Sequence, residues 1–166
     1  MSQVIIEKQG NAGWRLSCVQ RVSRTPRETF SFFADAYNLE RITPSFLNFR
    51  VLAVSAQPLT VGTTLDYRLR LHRVPVFWRT VIQEWNPPHH FSDVPKIGPF
   101  NTWHHRHKII PVLGGTELHD VVTFDLYCRR LSETPLLGWV QRDVRRIFDF
   151  RRARIAELFG PIEVRR

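Results

Sequence analysis

Between Phe46 and Tyr127 the chain runs as a series of short alternating segments, each closed by proline or glycine, before giving way to one long helical stripe. Thr64–His72 shows the pattern most cleanly. Leu65, Tyr67, Leu69 and Leu71 alternate with Asp66, Arg68, Arg70 and His72. Successive side chains of a strand point to opposite faces, so this spacing predicts a sheet with one apolar face. The same pattern predicts strands over Phe46–Ser55, Val76–Trp85, His89–Pro95, Phe100–Pro111 and Thr116–Tyr127. Pro58, Gly62, Pro87-Pro88 and Gly98-Pro99 are the breaks between them, and Gly114-Gly115 is a hairpin turn.

Trp14–Val22 alternates in the same way and predicts a first strand. Thr25-Pro26-Arg27-Glu28 then carries a helix start, with Thr25 as cap, Pro26 in the first position and Glu28 closing a capping box. Phe30, Phe33, Ala34 and Tyr37 follow at helical spacing. A second short helical piece, Leu39–Ile42, stops at Thr43-Pro44, because the residue before proline avoids helix. The tail from Thr134-Pro135 to Gly160-Pro161 predicts a long helix with the stripe Leu137, Val140, Val144, Ile147/Phe148, Arg151, Ile155 and Leu158/Phe159. The expected architecture is α+β, with residues 1–166 in a single domain. A curved antiparallel sheet of about seven strands wraps around the C-terminal helix, and two short helices follow the first strand. Such a sheet leaves a space between itself and the helix, where a ligand fits.

Composition narrows the classes of function. The hydrophobic content of 43% and charged content of 23% are those of an ordinary globular protein. No apolar run reaches the roughly 20 residues of a membrane span, and Met1–Glu7 lacks the form of a signal peptide, so a cytoplasmic location is expected. Cys18 and Cys128 form no Cys-x-x-Cys pair and predict no disulfide. The formal net charge is +9, much of it from arginines at 129, 130, 142, 145, 146, 151, 152, 154, 165 and 166. Most of these predict the solvated face of the last helix, where transient contact with an anionic membrane surface is the partner reading. No nucleic-acid-binding motif accompanies the charge, and no phosphate loop, nucleophile elbow or cysteine motif is present.

The element order resembles the helix-grip fold of the START-related lipid-transfer domains, the birch-pollen-allergen proteins and the polyketide cyclase/dehydrase group, together the SRPBCC superfamily. The chain is similar in particular to a short, stand-alone bacterial subfamily of it. The matching segments are Phe32–Pro44, Val74–Thr80, Gly98–His107 and Gly115-Thr116 with Asp120-Val121-Val122. Relatives often have glycine before Val74-Pro75, where this chain has Arg73, a departure that touches the local turn alone. The resemblance implies binding of a small hydrophobic or lipid-like molecule, with no cofactor and no resident metal. For an enzymatic member it implies a cyclase or dehydratase acting on a polyketide-like or other hydrophobic carbonyl compound.

Gly98–His107 is the densest functional signal. Three of the seven histidines fall within His104–His107, and alternation puts Trp103, His105 and His107 on one face. Across the Gly114-Gly115 turn, Asp120 lies opposite one of the two histidines or one diagonal away. His105, His107 and Asp120 are therefore the candidate catalytic set. A His–Asp pair would fix one imidazole tautomer for a general base, with Tyr67 as donor to an enolate. The same pair equally serves as a buried hydrogen bond that satisfies its own polar groups. His105, His107 and Asp120 also have the make-up of a two-His-one-carboxylate metal set, which the resemblance does not favour. Tyr67, Trp78, Thr80, Trp103, Val122, Phe124, Val144 and Phe148 are the expected ligand-binding wall. Glu40–Arg41 is expected to be a solvated pair near the cavity mouth.

Overall fold

The computed structural model describes residues 3–10, 13–127, 135–160 and 162. Its strands are β1 (Val4–Lys8), β2 (Trp14–Val22), β3 (Arg50–Val54), β4 (Thr64–Leu71), β5 (Val74–Asn86), β6 (His90–Ile97), β7 (Thr102–Val112) and β8 (Gly115–Asp125). Helix α1 is Pro26–Ala34 and helix α2 is Pro135–Phe159. Two 3₁₀ segments, Ala36–Ile42 and Ser45–Leu47, lie between α1 and β3. The strands form one antiparallel sheet in the order β1-β2-β8-β7-β6-β5-β4-β3. It is curved, and α2 packs across it against β1, β2 and the first 3₁₀ segment, as the helix-grip architecture requires.

Local chemistry accounts for the elements. The α1 capping box forms: Glu28 N–H donates to Thr25 Oγ1, and Thr25 N–H donates to Glu28 Oε2. The helix buries Phe30 and Phe33. β2 and β8 alternate strictly, burying Leu16 and Cys18 from one and Leu118, Asp120, Val122 and Phe124 from the other. Irregular pairing between β5 and β6 near Ile82/Glu84 inserts an extra residue. This shifts the alternation so that Ile82 and Trp85 both join the interior, and it bends the strand. α2 ends on Gly160, whose φ of 73° suits glycine and whose N–H donates to the Ala156 carbonyl.

Four details differ from the sequence expectation. The sheet has an additional strand, β1, whose short Val-Ile-Ile run carries little periodicity alone and is fixed by pairing with β2. The segment expected as a strand over Phe46–Ser55 is 3₁₀ at its start and extended only over β3. The β4–β5 turn is His72-Arg73, both with positive φ (49° and 72°), which tolerates a side chain in place of glycine at a cost of roughly 1–2 kcal/mol per residue. Glu40 binds Arg50 Nη1 at 2.7 Å and accepts from Val51 N at 2.9 Å, while Arg41 donates to Asn38, so Glu40 and Arg41 do not pair. Cys18 is a buried free thiol, and Cys128 lies outside the described residues.

The core under the first half of α2 joins Val4, Leu16, Val122, Phe124, Leu137, Val144 and Phe148. Phe124 is fully buried and packs edge-on against Phe100 at 5.8 Å between ring centroids. Phe124→Ala is therefore expected to lower unfolding free energy by about 3–5 kcal/mol. Urea denaturation followed by tryptophan fluorescence checks this, and a loss under 1 kcal/mol would contradict it.

Candidate functional site

A cavity of about 250 Å³ lies between the sheet and α2. Most of its wall is apolar: Trp78, Trp103, Phe91, Phe100, Val144 and Phe148 contribute from strands, loop and helix. Six expected wall residues line it, namely Tyr67, Trp78, Thr80, Trp103, Val144 and Phe148. Val122 and Phe124 lie instead in the solid core, both with no exposed surface. Their strand is next to β2 and under α2, so their inward side chains meet the helix directly and no space remains.

The polar part of the cavity is built by three neighbouring strands. His107 on β7 stands directly across from Asp120 on β8, and His105 is one diagonal away. One carboxylate oxygen, Asp120 Oδ1, lies 2.6 Å from His107 Nδ1 and 3.2 Å from His105 Nε2. All three side chains are buried. Burial alone would raise the Asp120 pKa, but the positive potential of His107 and hydrogen bonds from both rings outweigh it. Asp120 is held well below the usual carboxylate range, so it only accepts. His105 Nε2 and His107 Nδ1 must then carry the protons they share with it. That tautomer assignment leaves His105 Nδ1 and His107 Nε2 as the ring atoms not spent on Asp120. The wall of the cavity includes both imidazoles but not Asp120, which holds them from behind.

Packing fixes the rings further. His107 stacks on Phe91 with centroids 4.2 Å apart, and His105 meets His107 at 3.9 Å. Burial, reinforced by the electrostatic influence of the neighbouring His107 ring, drops the His105 pKa to about 3 against the opposing pull of Asp120. His105 is thus neutral through the physiological range. Cys18, paired with Asp120 across β2 and β8, has its thiol pushed up to about 12 by burial and then by Asp120, which removes it as a nucleophile. Tyr67 shares a 3.3 Å hydrogen bond with Thr80, and burial pushes its hydroxyl upward, so it stays a donor.

Two polar residues beside the histidine pair, Asp93 and Arg151, were not assigned to the cavity from sequence. Asp93 on β6 pairs in register with His105, and burial raises its carboxyl to about 6 against the pull of His107 and Arg151. Its signal was present in the sequence, since Phe91 and Asp93 share a face of the short strand. Arg151 on α2 lines the cavity from the opposite side. It stands in the apolar stripe between Phe148 and Ile155, which marks it off from the solvated arginines. Asp93, His105 and His107 each offer one ligand atom within 4.8 Å of the others, a donor set suited to a divalent transition metal. In this donor set the carboxylate is Asp93, not the Asp120 of the disfavoured metal reading made from sequence, and the positive guanidinium of Arg151 in the same cavity works against a dication there.

A contact between the β4–β5 turn and α2 also borders the cavity. His72 Nε2 lies 2.6 Å from Asp143 Oδ2, and both residues line the cavity.

No protein-family model matches this chain, and no curated protein matches it. Solved structures do match, at low identity. Protein CV1439 from Chromobacterium violaceum superposes with a TM-score of 0.69 at 14% identity, over 89% of this chain and 98% of that one. Protein Ms6760 from Mycobacterium smegmatis gives 0.66 at 18% identity, over 93% and 96%. Ara h 8.0201 gives 0.59 at 12% identity, over 86% and 97%. The helix-grip fold is shared along nearly the full length of each. No helix among the described residues is long and apolar enough to cross a membrane.

The shifts of His105 and Asp93 act on stability with opposite signs. The unfolded chain protonates His105 near 6.5, while the fold does so only near 3, so that contribution is complete above 6.5 and lost as pH falls toward 3. The fold keeps Asp93 protonated up to about 6 against 3.8 unfolded, so its contribution is complete below 3.8 and lost as pH rises through 6. Between these limits the two offset each other. Asp93→Asn removes the second, so unfolding free energy in the variant is expected to fall more steeply with acidification from pH 6.5 to 4 than in the parent. Urea titrations at stepped pH check it, and parallel curves would contradict it.

Proposed function

We propose that this single-domain protein binds a small hydrophobic or lipid-like molecule in the cavity between the sheet and α2. The observation that carries this reading is the cavity itself: about 250 Å³ with a mainly aromatic and aliphatic wall, in a molecule whose adjoining core is tightly filled. Ligand sites are commonly of this kind, apolar with a few placed polar groups. The resemblance to START-related and birch-pollen-allergen proteins supports the same reading. Medium-chain fatty acids and aromatic hydrophobes are expected to raise the melting temperature, by about 2.7 kcal/mol of linkage at a hundredfold excess over Kd. Val144→Trp, which fills the cavity from the helix side, is expected to abolish that rise. A panel without any shift in the parent protein would contradict the reading.

A second reading is favoured by the ordered His107–Asp120 pair. Asp120 orients His107 by its Nδ1–H, leaving Nε2 to accept a proton from the carbon next to a carbonyl, while Tyr67 donates a hydrogen bond to the enolate oxygen. This is the chemistry of a cyclase or dehydratase. Exchange of the α-protons of 2-decanone for deuterium, followed by proton NMR, measures it. His107→Ala is expected to slow the exchange at least hundredfold, and no exchange above buffer in the parent would contradict it.

A further inference from the structure

Arg151 is the least economical residue in the cavity. It occupies an inward position of α2, one turn after Phe148 and one turn before Ile155, and its guanidinium lies over the Phe148 ring at 5.0 Å. Its Nε and Nη1 are buried and make no hydrogen bond, and no carboxylate of a described residue lies within 4.0 Å of it. Its field nonetheless reaches Asp93, His105 and Tyr67, which places it over the polar part of the cavity. A guanidinium always carries its charge, and burying it without an acceptor is costly. A hydrophobic ligand that fills the cavity leaves that charge without an acceptor unless the ligand brings one of its own.

We infer that the ligand is a hydrophobic carboxylate, held with its carboxylate on the Arg151 fork and its apolar body among Trp78, Trp103 and Phe148. This inference rests on the hydrophobic-ligand reading above and deepens it. The planar five-donor fork matches a carboxylate with two parallel hydrogen bonds. Asp93 and Asp120 sit in the same cluster, so a singly charged head is tolerated where a dianion would be repelled. Trp78 Nε1 is a second buried donor without a partner on the cavity wall, and it too favours an acceptor-bearing ligand.

The test compares decanoate with 1-decanol, its uncharged counterpart, by calorimetry on the full chain at neutral pH. Decanoate is expected to bind at least tenfold more tightly. Arg151→Met is expected to abolish that preference while keeping decanol affinity within twofold. Because it removes a stranded charge, it should also raise the ligand-free melting temperature by roughly 2–4 °C. A merely structural arginine would lower it. Arg151→Gln, polar but uncharged, serves as the second variant and is expected to lose the preference likewise. Equal affinities in the parent, or a preference that survives both substitutions, would overturn the carboxylate inference and leave the hydrophobic site standing. Binding of neither compound would overturn both.

Discussion

The interior of this protein depends on one carboxylate. Asp120 sits in the middle of β8, between Cys18 of β2 and His107 of β7, in a place that a strand of such regular alternation would ordinarily give to an aliphatic side chain. An isolated buried carboxylate costs several kcal/mol, and it survives here because both imidazoles of the next strand donate to it. Removing either partner strands the charge. The arrangement thus ties the tautomers, the orientation and the mutual stacking of His105 and His107 to one oxygen atom. Everything on the polar side of the cavity inherits its geometry from that tie.

The opposite side has a different logic. α2 supplies Val144 and Phe148 as wall, then Arg151 as a charge with no protein partner at two of its nitrogens. On the sheet, Asp120 and its two histidines satisfy one another, whereas Arg151 on the helix has no hydrogen-bond partner at Nε and Nη1. The His–Asp cluster is self-contained on its Asp120 side and open toward the cavity. Arg151 is open altogether. The positive-φ turn at His72-Arg73 is tied to α2 by the His72–Asp143 contact.

Much of this was legible in the chain. Period-two alternation located β2, β4, β7 and β8, the capping box located α1, and the apolar stripe located α2 with Arg151 inside it. The Gly114-Gly115 turn sufficed to bring Asp120 beside His105 and His107, and the observed β7–β8 register decides that His107 stands directly across. Gly115 itself is required by the close approach of Val22, whose carbonyl oxygen would lie 2.0 Å from an added Cβ. Other features depend on tertiary context that periodicity does not encode. β1 exists through its partner strand. Val122 and Phe124 have the alternation of wall residues, but lie where the helix touches the sheet. The role of Asp93 follows from the β6–β7 register, which pairs only His90–Asp93 with His105–Lys108 and is not fixed by a two-residue turn. Arg151 was visible as an exception in an apolar stripe, and only the absence of an acidic partner gave it meaning.

The central claim is that burial keeps His105 neutral while Asp120 fixes it in one tautomer at the polar end of the cavity. Long-range proton–nitrogen NMR of the imidazoles, recorded from pH 7 down to 4, tests it directly. The account predicts that His105 keeps a protonated Nε2 and a bare Nδ1 throughout that range. Titration of His105 near the ordinary 6.5, or a proton resident on Nδ1 alone, would contradict it.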